Sequence, residues 1–344
     1  MMRAPHSRQS GISMVELMIG ITLGLVLMVV VSQILVSNKA SFKANEAMSR
    51  VQENGRLAMD LLGRDIRLAG YNGCSKGLPI NNIAEPTGSS WVSFDKAVIG
   101  YTQSTLPTGL GLVATEVLAG TDVIKIQYAS SVDASLTGNM SAVNANIQIT
   151  DNPNGTIQTD DILFLSDCEK ADVFRANNVS SGSGKITITH SNASNTGNNL
   201  SKAYQGDAEL MKLATSIYFI ACMSAASAPT STCSATDPRY LWRKTLSGIS
   251  LVAQDLVEGV EDMRITYGED TDGDTVANKY VVAGSVGDWS NVVSVRVSLL
   301  LRTVDDKIAT KAQTYSYNGS SVTATDLRVR RVYTSTIDLR NKTY

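Results

Sequence analysis

The chain changes its hydrophobic pattern twice. Between Leu17 and Asn38 no side chain is charged. The apolar run Leu17–Val36 is long enough to cross about 30 Å of hydrocarbon as a helix. Beyond it the pattern becomes amphipathic. Leu57/Ala58, Leu61/Leu62, Ile66 and Leu68/Ala69 recur at helical spacing. Arg56, Asp60 and Arg64 recur four apart on another face and read as a solvated stripe. Gly70 suits the position just past a helix C-terminus. The pattern predicts one helix from Ile12 to about Ala69, roughly 85 Å long at 1.5 Å per residue.

After Gly70 the period drops to two. The stretches "TDVIKIQYA", "DILFLSD", "KITITH", "TSIYFIAC", "RYLWRKTL" and "MRITYG" read as strands. Two later ones are clearer. Val293, Val295, Val297, Leu299 and Leu301 share one face, as do Tyr333, Ser335, Ile337 and Leu339. No crossover-length helix separates these late strands, so the sheet should be mainly antiparallel. The class is α+β: a long helix on a mainly antiparallel head. "ISLVAQDLVEGV" is expected to hold one short helix. The Ser/Asn/Gly/Thr-rich segments 129–146 and 176–202 are expected to be surface loops.

Charge and composition narrow the function. A formal charge of −2 and the absence of any basic block give no support to a nucleic-acid partner. Residues 1–11 carry Arg3 and Arg8 and no acid. By the positive-inside rule they favour a cytoplasmic N-terminus, with the rest of the chain beyond the membrane. Four cysteines fit disulfides in an oxidising compartment. Four allow three connectivities. Cys222 and Cys233 enclose a ten-residue loop and are expected to pair, which leaves Cys74 for Cys168.

Glu16, alone at the head of the apolar run, needs a reason. The segment Gly11-Ile12-Ser13-Met14-Val15-Glu16 resembles the cleavage site of type IV prepilins and pseudopilins. The resemblance implies a leader of residues 1–11, cut by a prepilin peptidase between Gly11 and Ile12, with Ile12 then N-methylated. It implies residues 12–36 in the membrane or the filament core, 37–70 as the amphipathic half of the helix, and 71–344 as an extracytoplasmic, β-rich head. It also assigns Glu16 to assembly. Cleavage leaves an ammonium at Ile12, and a buried charge is tolerable only when paired. A neighbouring subunit's carboxylate can supply the pair and set the register. Gly20 and Gly24 form a GxxxG spacing that allows close helix approach.

"GYNGC", "SDCEKADVF", "EGVEDMRITYGEDTDGDT", "DWSNVVSVRVSLLLR" and "RRVYTSTIDLRN" together resemble the PilW family of minor pilins. That resemblance implies a structural role in the type IV pilus, in adhesion and twitching motility. The implied partners are other minor pilins, the major pilin and a PilY-type tip adhesin. The protein would lie in the inner membrane before assembly and in the surface pilus afterwards. A minor pseudopilin of a type II secretion system, J-like, is the alternative. A membrane-anchored receptor or enzyme is a second.

Other chemistry is sparse. Asp270, Asp272 and Asp274 alternate as the first acids of a calcium loop do. The glycine comes too early, at Gly273, and Val281 stands where a bidentate glutamate belongs. The competing reading is a hairpin turn through Asp272-Gly273. His190, beside an Asn/Ser loop, reads as an exposed strand end. No nucleophile elbow or metalloprotease His-Glu pair is present, so no catalytic residue is expected and no cofactor is required.

Overall fold

A computed structural model describes residues 11–74, 80–85, 91, 94, 96–150 and 155–343. Positions 1–10 of the expected leader, residues 1–11, lie outside the described residues. Helix α1 runs unbroken over Met14–Leu68. Its second half shows why it is amphipathic: Val51, Ala58, Leu62 and Ile66 form one buried stripe. Arg56, Asp60 and Arg64 are exposed. Gly70, at φ +76°, ends the helix, and its N–H donates to Gln127 O at 2.9 Å.

The head is built from eighteen described strands. They are β1 (Ile80–Asn82), β2 (Val98–Thr102), β3 (Asp122–Ser135), β4 (Ile147–Ile149), β5 (Ile162–Ser166) and β6 (Ala171–Arg175). Then come β7 (Asn178–Gly182), β8 (Lys185–Thr189), β9 (Glu209–Met223), β10 (Pro229–Thr230), β11 (Arg239–Ser247) and β12 (Ser250–Glu258). The last are β13 (Val260–Glu269), β14 (Lys279–Val281), β15 (Val292–Arg302), β16 (Thr314–Tyr317), β17 (Ser320–Thr323) and β18 (Arg330–Asp338), followed by a short α2 (Arg340–Thr343).

Strand β9 is the spine of the larger sheet. One edge pairs with β3; the other pairs with β5 in its first half and β11 in its second. Its side chains alternate between two cores, Tyr218 and Ile220 toward α1, Ile217 and Phe219 away from it. The smaller sheet runs β14-β13-β15-β18, all antiparallel. Val295, Val297, Leu299, Leu301 and Ile337 of this sheet share one core with the α1 stripe and with Ile124, Ile126 and Val257 of the larger sheet. The sequence-predicted class therefore holds. The one parallel pair among the described strands is β1 with β6.

Two expectations fail. "ISLVAQDLVEGV" is strand β12, paired with β11 through a tight turn at Gly248 (φ +57°). Its apolar spacing suits a half-exposed edge strand as well as a helix. The segments 129–146 and 176–202 are not simply loops. β7 and β8 form a hairpin through Ser183 and Gly184, both at positive φ as a type I′ turn demands. β4 adds to β8, and Leu136, Ile147, Ile149, Ile188, Leu200 and Tyr204 build a separate small core with Leu163 and Leu210.

Close packing fixes the helix to β18. A methyl group on Gly55 would overlap the Tyr333 ring, whose hydroxyl donates to Val51 O. We expect Gly55→Ala to destabilise the detergent-solubilised chain by about 1–3 kcal/mol through overpacking, partly offset by about 1 kcal/mol of helix propensity. Urea unfolding measures it, and Tyr333→Leu in the same chain should restore part of the loss.

Buried charge sets the pH response. Asp262 Oδ2 accepts from Arg264 Nε at 3.1 Å, while Oδ1 is buried with no partner among the described residues. Burial pushes its carboxyl up to about 6 against the pull of Arg264. Such a group favours the fold below its ordinary value of 3.8, and the benefit is lost as pH rises through about 6. Asp326, held at about 2 chiefly by hydrogen bonds from Arg330, behaves oppositely and loses its contribution as pH falls below 3.8. Asp262→Asn should therefore raise the melting temperature at pH 7.5, a gain on the order of 2 kcal/mol, and leave it nearly unchanged at pH 4.

Candidate assembly site

The site at the head of α1 begins with a capped helix start. Ser13 has extended backbone (φ −71°, ψ 148°) and its hydroxyl accepts from Glu16 N at 3.2 Å. Glu16 Oε2 in turn accepts from Ser13 N at 3.2 Å. This is a reciprocal capping box, which satisfies two of the orphan donors of a helix N-terminus. Ser-x-x-Glu ahead of an apolar run is the sequence signal for it, and reading Glu16 for assembly alone passes over that local role. The second carboxylate oxygen, Oε1, has no partner among the described residues.

Ile12 is 77% exposed, and among the described residues nothing lies within 4 Å of where a Cβ on Gly11 would be. The same openness surrounds Gly20 and Gly24. Thr22 satisfies its hydroxyl inside the helix, on Met18 O and Ile19 O. From Ile12 to Val36, eighteen large apolar side chains stand exposed. No residue of the most apolar window of α1 is buried, and its mean hydropathy is 2.5. Such a surface fits a bilayer or a bundle of other helices.

The cysteines join Cys74 to Cys168 and Cys222 to Cys233. The first ties the chain just past α1 to the β5–β6 turn. The second closes the loop between β9 and β11.

The acidic loop Asp270–Asn278 connects β13 to β14. One oxygen from each of Asp270, Asp272 and Asp274 lies within 4.8 Å of the others, close enough to share a hard cation. The loop is also closed by its own bonds. Asp270 Oδ1 accepts from Asp272 N and Gly273 N, and Oδ2 from Thr275 N, which holds the Asp270 carboxyl below its usual range. Asp274 caps Val276 N, and Asn278 donates to Asp272.

Among the buried polar residues that the sequence does not announce are His190 and Asp65. His190 is 3% exposed, not a solvated strand end: its Nε2 lies 2.9 Å from Ala145 O and its ring beside Phe174. Asp65 is buried on α1, where Tyr218 Oη donates to its Oδ2 at 2.7 Å. Burial and that carboxylate push the Tyr218 phenol far up. The pair fixes the register of α1 on β9. An acid interrupting the apolar stripe between Leu62 and Ile66 is the signal that could have revealed it.

The loop bonding of Asp270 yields a prediction. Asp270→Ala should lower the melting temperature more than Asp272→Ala or Asp274→Ala, with no calcium added. A calcium-dependent rise in the wild-type melting temperature, absent in Asp272→Ala, would add a bound cation to the loop's own closure.

No curated protein and no solved structure gives a match. The family model for PilW, the type IV pilus-assembly protein W, matches residues 217–341, from the second half of β9 to α2, so the helix-holding part of the head carries the pattern of a pilus-assembly family.

Proposed function

We propose that the chain is a structural minor pilin, made with a leader of residues 1–11. In this reading a prepilin peptidase cuts between Gly11 and Ile12, and Ile12 is N-methylated. Residues 12–36 first anchor the protein in the inner membrane with the head, 71–344, in the periplasm. They later join the filament core, and residues 37–70 hold the head above it. The partners are other minor pilins, the major pilin and a PilY-type tip adhesin, in a complex that primes assembly. These partners follow from the family likeness.

One observation carries the reading: an exposed apolar helix half, begun by a capping box directly after Gly11-Ile12, on a head whose residues 217–341 match the PilW model. The free Oε1 of Glu16 can meet a neighbour's ammonium while Oε2 keeps the cap closed.

The roles of Glu16 can be separated. Gly11→Ala should block processing, seen as slower migration on an immunoblot, and the processed wild type should begin at Ile12 by mass spectrometry. Glu16→Gln keeps an acceptor for the cap and removes the charge. Both Glu16→Gln and Glu16→Ala should be processed yet largely missing from sheared pili. Near-normal incorporation of Glu16→Gln would assign the residue to capping alone.

A further inference from the structure

The loop from Thr303 to Gln313, between β15 and β16, has no part in the assembly site. Its Asp305 Oδ2 lies 3.2 Å from Lys43 Nζ on α1, with both side chains more than half exposed. Of the polar contacts between helix and head among the described residues, this one lies closest to the apolar segment; the next involve Val51 and Asn54. α1 is continuous here, so Lys43 stands about 10 Å along the axis from Val36. The headgroup layer of a bilayer adds about 5–8 Å to each side of the hydrocarbon. The Lys43–Asp305 contact therefore sits just beyond it, where extended lysine side chains can reach back to the headgroups.

The charge there is unbalanced. Lys39, Lys43, Lys307 and Lys311 are all exposed. Lys39, Lys307 and Lys311 make no ion pair among the described residues. The nearby acids are engaged. Asp305 pairs with Lys43, Glu46 with Arg50, and Asp306 Oδ1 accepts from Lys307 N and Leu327 N. Phe42, at 71% exposure, and Val304, at 42%, add apolar surface at the same level.

We propose that residues 39–43 and 303–313 form a foot that rests on anionic phospholipid headgroups while the chain is membrane-anchored. Basic side chains beside a membrane-spanning helix are drawn to such headgroups within about a Debye length. Exposed apolar side chains suit the interfacial layer. The foot holds the head against the bilayer and loses its contact when the helix leaves the membrane. The inference rests on residues 17–36 spanning the bilayer, and on no other part of the proposed function.

The test is hydrogen exchange, read by mass spectrometry, on the full chain in nanodiscs of phosphatidylcholine alone or with added phosphatidylglycerol. Exchange over 303–313 should slow about threefold or more in the anionic discs and recover in 0.5 M salt. The region around Lys185, on the small sheet, should not change. The double variant Lys307→Glu, Lys311→Glu should lose the lipid effect at an unchanged melting temperature. Equal exchange over 303–313 in both lipids, with residues 17–36 protected in both, overturns the foot. Unprotected 17–36 overturns the membrane-spanning reading and the foot with it.

Discussion

Half of α1 has no partner among the described residues of its own chain, and that constraint governs the rest. Eighteen large apolar side chains from Ile12 to Val36 face outward. At about 1.5–3 kcal/mol for each, their hydration opposes the isolated state in water by tens of kcal/mol. A domain's whole folding stability is about 5–15 kcal/mol. The segment must therefore lie in lipid or among other helices. The head can be placed relative to either environment only if the helix between them is rigid and the head's grip on it has one register.

The grip is made of contacts that cannot slide. An apolar stripe alone specifies the register of a helix only through side-chain size, as where Ala58 stands one turn from Leu62. Asp65 cannot shift, because a buried carboxylate must stay with the Tyr218 hydroxyl and near Arg64 and Arg243. Gly55 cannot shift, because Tyr333 fills the space a side chain would need. At the far end Asn341 donates to the last carbonyls, Leu68 O and Ala69 O, so that one end of the chain caps the helix begun at the other. Tyr218, Tyr333 and Asn341 all fall within residues 217–341, the stretch that matches PilW. The part of the head outside that stretch carries the small β4-β8-β7 sheet, which does not touch this grip.

What could be read from the sequence follows from which signals are local. The helix, its stop at Gly70, and strands β13, β15 and β18 depend on periodicity, which a single segment displays. β12 was misread because "SLVAQDLVE" places apolar residues at spacings compatible with either period; its pairing with β11 decides. The core under 129–146 and 176–202 was hidden because each segment contributes only a few apolar residues. They meet only when β4 and β8 pair over Leu163 and Leu210. The burial of His190 is invisible for the same reason, since its partner comes from a distant segment; that of Asp65 shows only as an acid interrupting an apolar stripe. The capping role of Glu16 was legible, and a stronger expectation at the same residue obscured it.

The two roles of Glu16 are compatible because of where the third helical residue points. Its carboxylate turns back over the N-terminus and reaches Ser13 N, one residue from Ile12. In the proposed processed form, the new ammonium lies beside that carboxylate in the same chain. A lone charge near hydrocarbon is costly, and a pair much less so. The unassembled subunit could then hold its own amine and acid together at the membrane surface, with the helix cap intact. On docking, a neighbour's ammonium would find an acceptor already oriented by the cap. Exchange of one ammonium for another leaves the number of pairs unchanged, so the swap adds register without adding a new buried charge. In the proposed assembly, the capping box would serve as the support that holds this carboxylate in place.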